Sequence, residues 1–202
     1  IDVNLNGDST TLIIGSNGGV GKECVKYFST MYDIIPISRE QGDLRDKEFL
    51  QTLVDEYNPS VVLNCIGVYE KEFFETFESN FLSVSFLTIE FYKKMESGHI
   101  INICSSSANS SGWPGIDYDR LTYNVSKSSL KKFSNMLQSS KNRQVKVTTL
   151  EPAQINTKML KHKSDKVTPL EPSYIVDVIH WILNQPQSVV ISSMEIQNDS
   201  RL

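Results

Sequence analysis

Short runs of apolar residues recur along this chain, with amphipathic stretches of helical period between them. The runs fall at 10–16 (TTLIIGS), 33–38 (DIIPIS), 60–67 (SVVLNCIG), 98–106 (GHIINICSS), 144–152 (QVKVTTLEP) and 188–196 (SVVISSMEI). They are apolar throughout rather than alternating, which is the pattern of strands covered on both faces of a parallel sheet. Helical spacing appears at 21–31, with Val25, Phe28 and Met31 on one side, at 45–57 with Asp43 or Asp46 as cap, and at 121–139 and 171–183. Residues 72–95 read as two helices. Strands and helices in strict alternation predict a doubly wound, mostly parallel α/β sheet with helices on both faces and right-handed crossovers. Pro36 lacks an amide donor, so its strand is irregular or lies at an edge. No repeat, low-complexity tract or linker divides the chain, and one domain over 1–202 is the economical expectation.

Composition narrows the function classes. The chain has 202 residues, 39% hydrophobic and 22% charged, which disfavours disorder. A net charge of -4 disfavours nucleic-acid binding. The lysines at 158–166 are interrupted by Asp165 and read as a solvated loop. No apolar run approaches the ~20 residues that span a bilayer, and none reads as a signal peptide, so no membrane partner is expected. Cys24, Cys65 and Cys104 follow no metal spacing. They read as small core hydrophobes, so the expectation is no metal site and a reducing, cytoplasmic location. The three histidines pair with no candidate nucleophile, and the acidic stretch Glu70, Glu72, Glu75, Glu78 reads as a solvated helix face. The chain opens on Ile1 rather than Met, which fits a trimmed chain or one piece of a longer polypeptide.

The turn GSNGGVG, Gly15 to Gly21, joins the first strand to the first helix. Gly15 allows a tight turn, Gly19 lets backbone approach a ligand, and Gly21 permits close packing of helix on sheet. The amides of Ser16, Asn17, Gly18 and Val20 and the helix N-terminus then suit a phosphate. A plain tight turn is the bland reading, made less probable by the position after the first strand.

The G-x-x-x-G-x-G spacing resembles that of the short-chain dehydrogenase/reductase family. Further motifs resemble that family's in its order, over about residues 10–160. The pair Asp43–Leu44 is similar to the acidic–apolar pair at the adenine. NCIG, residues Asn64, Cys65, Ile66 and Gly67, resembles N-N-A-G. SNFLSVSFLT places Asn80 at the family's catalytic asparagine, and HIINICSSSA places Ser105 at its serine, with Ser106 the neighbouring candidate. YNVSK supplies Tyr123 and Lys127, and EPAQINT puts Pro152, Ala153, Ile155 and Thr157 over the nicotinamide, with Ala153 in place of glycine.

The resemblance implies a Rossmann-type fold, with a dinucleotide-binding part at about 10–110 and a catalytic and substrate part at about 99–202. It also implies a homodimer or homotetramer, and reduction of a carbonyl, or oxidation of the alcohol, of a small-molecule substrate. In that scheme Tyr123 is the general acid/base, Lys127 lowers its pKa and holds the nicotinamide ribose, Ser105 holds the substrate oxygen, and Asn80 anchors a proton relay. Ser38 and Arg39 end the second strand, where a guanidinium would pair with a 2′-phosphate; this favours NADP(H), while Glu40 nearby would suit NAD(H).

Two departures stand out. Eighteen positions separate Ser105 from Tyr123, a longer span than the family's, and the insert at 109–120 carries Trp113, Pro114, Gly115 and Tyr118. The connection after Thr157 is short. Few bulky apolar residues follow it, so the substrate is expected to be small and polar, a sugar or sugar phosphate being one form. Two other readings are a catalytically inactive nucleotide-binding sensor or scaffold, suggested by Ala153, and a reductase domain of a bifunctional enzyme.

Overall fold

The structure, a computed structural model, describes residues 10–69, 72–110, 117–140, 144–160 and 167–199. Six strands form one sheet in which every neighbouring pair is parallel. They are β1 (Thr10–Ile14), β2 (Asp33–Ile37), β3 (Val61–Asn64), β4 (Ser97–Ile103), β5 (Gln144–Pro152) and β6 (Ser193–Ile196). The spatial order is β2-β1-β3-β4-β5-β6, so the order reverses between β1 and β3. In such sheets ligands bind beyond the carboxyl ends of the strands at that switch point. Pro36 lies in β2, an edge strand, where its missing donor costs no ladder bond.

Six helices flank the sheet: α1 (Gly19–Phe28), α2 (Lys47–Glu56), α3 (Phe73–Phe77), α4 (Ser83–Lys94), α5 (Tyr118–Ser139) and α6 (Pro172–Leu183). Successive strand residues point to opposite faces, and the core divides accordingly. Leu12, Ile14, Val62 and Ile100 pack with Leu50, Leu87, Phe91 and Leu130 of α2, α4 and α5. Ile13, Leu63, Ile101 and Leu150 pack with Cys24 and Phe28 of α1 and Ile175 and Ile179 of α6. Both faces are dry, which is why the strands read as unbroken apolar runs.

Several elements differ from the sequence expectation. The first helix starts at Gly19 and stops at Phe28; its buried side chains include Val20, Cys24 and Phe28, a four-residue spacing, while Met31 lies beyond its end and is 41% exposed. Asp46, not Asp43, caps α2 through the Glu48 amide. The region 72–95 holds the two expected helices, α3 and α4, run together without a loop. A single π turn, Glu78–Leu82, joins α3 to α4, with the Ser83 amide donating to the Glu78 carbonyl. The last strand is confined to Ser193–Ile196.

His99 in β4 is buried, with Nε2 at 2.7 Å from the Thr148 hydroxyl. Burial pushes its pKa down to about 3, so the folded protein holds it neutral. Between that value and the unfolded value near ~6.5 the unfolded chain binds the extra proton, and stability falls as pH falls. Urea unfolding at pH 7.5 and pH 5.0 should therefore show the wild type losing about 2 kcal/mol more than His99→Gln. Equal losses would remove His99 as a source of acid sensitivity.

Candidate active site

The candidate site is built from the carboxyl ends of the strands. Gly15 follows β1 with φ of +83°, and a Cβ there would lie 2.9 Å from the Cys65 carbonyl. A Cβ on Gly21 would stand 2.2 Å from the Gly15 oxygen, so the first turn of α1 rests directly on the end of β1. Gly19 is where the glycine turn meets the segment after β5. Its open face is covered by Thr157, whose Cγ2 lies 2.3 Å from where a Cβ would stand, so Thr157 is brought onto the glycine turn. The start of α1 has no side-chain cap and no acidic residue in its first turn, whereas Asp46, Glu72 and Asp117 cap α2, α3 and α5. Uncapped first-turn amides are the donor set that a phosphate takes, and Gly19, Val20 and Gly21 supply it, while the Gly18 amide donates to the Gly15 carbonyl at 3.0 Å. This donor set fits a dinucleotide pyrophosphate.

Beside the turn lies a recess of about 270 Å³ lined by Ser16, Asn17, Ser38, Lys22, Glu40 and Gln41 among others. Arg39, Asp43 and Leu44 are not among its lining residues. Glu40 accepts a hydrogen bond from Asn17 at 2.9 Å, and the Gln41 side chain accepts from both the Ser38 amide and hydroxyl. The loop is thus folded so that Glu40, not Arg39, faces the recess. Asp43 is gripped by the Arg45 guanidinium and amide, which hold its carboxyl below the usual range; Leu44 is buried in the core.

Tyr123 and Lys127 share a face of α5. Tyr123 is half-buried, and burial pushes its hydroxyl up to about 12, against an opposite pull from the Ser105 side chain. Ser105 lies just beyond β4 and its hydroxyl accepts from the Ser107 amide; Ser106 starts the short 3₁₀ turn that follows. Of the two serines it is Ser105 that acts on the Tyr123 hydroxyl. The Lys127 ammonium is 5.9 Å from the Tyr123 ring centre and only 2% exposed. It donates to the carbonyls of Ile103 at 3.2 Å and Ile66 at 3.4 Å, and burial lowers its pKa. Desolvation is the largest influence on the Tyr123 hydroxyl, and Lys127 is not among the groups that shift it. Two of the three ammonium donors are used, and the missing side chain of Gly67 leaves space beside Nζ. That arrangement fits a ribose hydroxyl.

Asn80 sits in the π turn, fully buried. Its amide clasps Val68, accepting from the Val68 amide at 2.8 Å and donating to the Val68 carbonyl at 3.0 Å, and it reaches the Ser126 hydroxyl at 3.2 Å. The side chain is thereby spent on protein partners. Asn64 is likewise internal, bonded to Asn102 at 2.8 Å and to Thr88, beneath the site rather than in it. Cys65 and Ile66 lie on the path between Asn64 and Gly67, next to Gly15 and Lys127.

A cavity of about 460 Å³ brings together Ser105, Tyr123, Pro152, Ala153, Ile155 and Thr157 from the expected set. It is also lined by residues that sequence reasoning did not single out: Tyr69, Arg120, Asn124, Gln154, Gln197 and Asn198. Tyr69 meets the Tyr123 ring edge to face at 5.2 Å. Arg120 was legible in principle, being one helical turn before Tyr123 on the same face. Trp113, Pro114 and Gly115 of the insert, Glu70, His162 and most of the lysine loop lie outside the described residues.

A doubly wound sheet, an uncapped glycine turn at its switch point and a Ser–Tyr–Lys group beside it define a nicotinamide-dependent oxidoreductase. Comparison with known proteins gives the family. The sequence profile of the family described as short chain dehydrogenase matches residues 41–168, over half of the chain. The chain belongs to the short-chain dehydrogenase family, and so to the NAD(P)-dependent dehydrogenases and reductases.

Among solved structures, it is similar to a short chain dehydrogenase from Burkholderia cenocepacia J2315 in complex with NADP (TM-score 0.79, 15% identity, covering 92% of this chain and 87% of that one). It is also similar to the 3-alpha-hydroxysteroid dehydrogenase from Pseudomonas sp. B-0831 complexed with NADH (TM-score 0.80, 17% identity, 93% and 95% covered). These likenesses are of fold. Among curated proteins, a dTDP-4-dehydrorhamnose reductase from Burkholderia thailandensis is 34% identical over 53 residues, which is 26% of this chain and 18% of that protein's length.

Proposed function

We propose that the protein transfers hydride between a nicotinamide and the carbonyl or alcohol carbon of a small polar substrate, with Tyr123 as general acid/base. The meeting of Ser105 and Tyr123 on the wall of the 460 Å³ cavity, with Lys127 one helical turn further along α5, carries this reading. The nicotinamide, when bound, supplies or takes the hydride. Tyr123 donates its proton to the oxygen that becomes the hydroxyl, and the phenolate regains one from solvent. The phenol is protonated at neutral pH, so it holds the proton that reduction requires, and positive charge beside it lowers the cost of giving that proton up. Ser105 orients the substrate oxygen, and Lys127 is placed to hold the ribose. Asn80 acts as a positioning residue, because its amide fixes the Val68–Tyr69 segment. A sugar or sugar phosphate is one substrate of the required polarity.

For the cofactor, Arg39 favours NADP(H) if it reaches a 2′-phosphate. Its neighbour Glu40, on the wall of the smaller recess, specifically supports NAD(H) as a second reading. The apolar side chains of Leu82, Leu121 and Val125, 53%, 55% and 44% exposed at the start of α4 and on α5, support a homo-oligomer. A single domain in the cytoplasm completes the reading. The complete Ser–Tyr–Lys group weighs against an inactive scaffold.

Tyr123→Phe should lower kcat for carbonyl reduction by about 10²–10⁴-fold while dinucleotide binding stays within about 3-fold; unchanged turnover would remove Tyr123 from the mechanism. Arg39→Ala should raise the KM for NADPH by about tenfold and leave that for NADH near its wild-type value. Equal effects would transfer the discrimination to Glu40. Light scattering at micromolar concentration should give a mass of at least two chains, and a monomer mass would overturn the oligomer.

A further inference from the structure

The cavity at Ser105 and Tyr123 has polar and apolar walls, but among its described lining residues the only charged side chain is Arg120. No described aspartate or glutamate lines it. Arg120 is half-buried in the first turn of α5, where Asp117 caps the helix by accepting from the Arg120 amide at 3.0 Å. The cap fixes the backbone at position 120 and places the Asp117 carboxylate on the main chain. Residues three apart on a helix have Cβ atoms about 5–6 Å apart on the same face, and Arg120 and Tyr123, so spaced on α5, both line the cavity. A guanidinium offers five donors in a planar fork, enough to take an oxyanion alongside a protein partner.

We infer that the substrate carries an anionic group, a carboxylate or a phosphate, held by Arg120 a few atoms from the carbon that exchanges hydride. This rests on the oxidoreductase reading and adds the chemical class of its substrate: small oxo or hydroxy compounds bearing an acid group. Cavity size agrees, since about 460 Å³ holds a molecule of roughly a dozen heavy atoms with room for water. Burial explains why one cation suffices. An oxyanion moved into a half-buried site loses hydration, and a charge-assisted pair with Arg120 offsets that loss where serine and glutamine side chains alone would not. A neutral ketone of the same size accepts only the weaker hydrogen bond of an uncharged acceptor from the guanidinium.

The test uses binding, so that it does not depend on turnover. Calorimetric titrations of the protein, alone and saturated with reduced dinucleotide, would be run with 3-hydroxybutyrate, glycerol 3-phosphate and the neutral 1,3-butanediol. At least one of the two anions should bind more tightly than 1,3-butanediol by about 10- to 100-fold, and Arg120→Gln should collapse that ratio to near one. Arg120→Lys should retain part of it. Which anion wins separates a carboxylate from a phosphate substrate. An anion-to-neutral ratio near one in the wild type, or a ratio that Arg120→Gln leaves intact, would overturn the inference. Tyr123→Phe should keep the anion preference, so loss of the acid/base reading and loss of the anion site are read by different variants.

Discussion

An ammonium group almost wholly out of water holds this site in register. Lys127 is 2% exposed, and its described partners are two backbone carbonyls, from Ile66 beyond β3 and Ile103 at the end of β4. An isolated charge in such a place costs several kcal/mol, so the position is tolerable only because strand ends leave carbonyls free to turn toward it. Those carbonyls belong to neighbouring strands of the sheet, and Lys127 belongs to α5. The interaction therefore pins the helix to the sheet edge, and Tyr123, one turn earlier, follows. Beneath it, Asn64 and Asn102 pair across β3 and β4, Thr88 joins from α4 and Ser134 from α5. Four elements are tied by polar contacts directly under the reactive face.

The same desolvation acts on the tyrosine in the opposite electrostatic sense. Removing water penalises the phenolate, which raises the Tyr123 pKa, and penalises the ammonium, which lowers that of Lys127. Both groups are thus biased toward their neutral forms, and the Ser105 side chain resists only in part. Positive charge brought beside Tyr123 would act the other way, stabilising the phenolate and lowering that pKa.

How much of this was legible in the sequence follows from which forces are local. Strands buried on both faces announce themselves as unbroken apolar runs, so the sheet and its glycine turn could be read directly. The two helices at 72–95 could be read as well, but not the π turn that joins them and carries Asn80, because it inserts one residue into a helical period. Counting from the strand end puts Ser38 and Arg39 at the tip of β2 with Glu40 beside them, but it does not encode the Ser38–Gln41 hydrogen bonds, which fold the loop with Glu40 on the wall of the recess. Thr157 on Gly19 is a contact across 138 positions of sequence that no spacing rule encodes. Arg120 was visible only as part of an insert, although its separation of three from Tyr123 is the ordinary spacing of helical neighbours.

The serine end of the site is fixed by a second buried charge. Glu151 in β5 is fully buried, paired with Lys131 of α5 at 2.7 Å, and also accepts from Asn109 and from Ser193 of β6. Asn109 closes the 3₁₀ turn that begins after Ser105, and it donates to Glu195 as well. The Ala108 carbonyl in that turn accepts from Ser128 of α5 at 2.7 Å. A carboxylate stripped of water needs several donors, and those donors come from α5, the turn and β6. Satisfying Glu151 thus clamps the turn between helix and sheet, so Ser105 and Tyr123 are set by two buried charges of opposite sign, Glu151 behind the serine and Lys127 behind the tyrosine. Breaking either pair strands a charge indoors, so the distance between the two hydroxyls is tied to the stability of the fold itself.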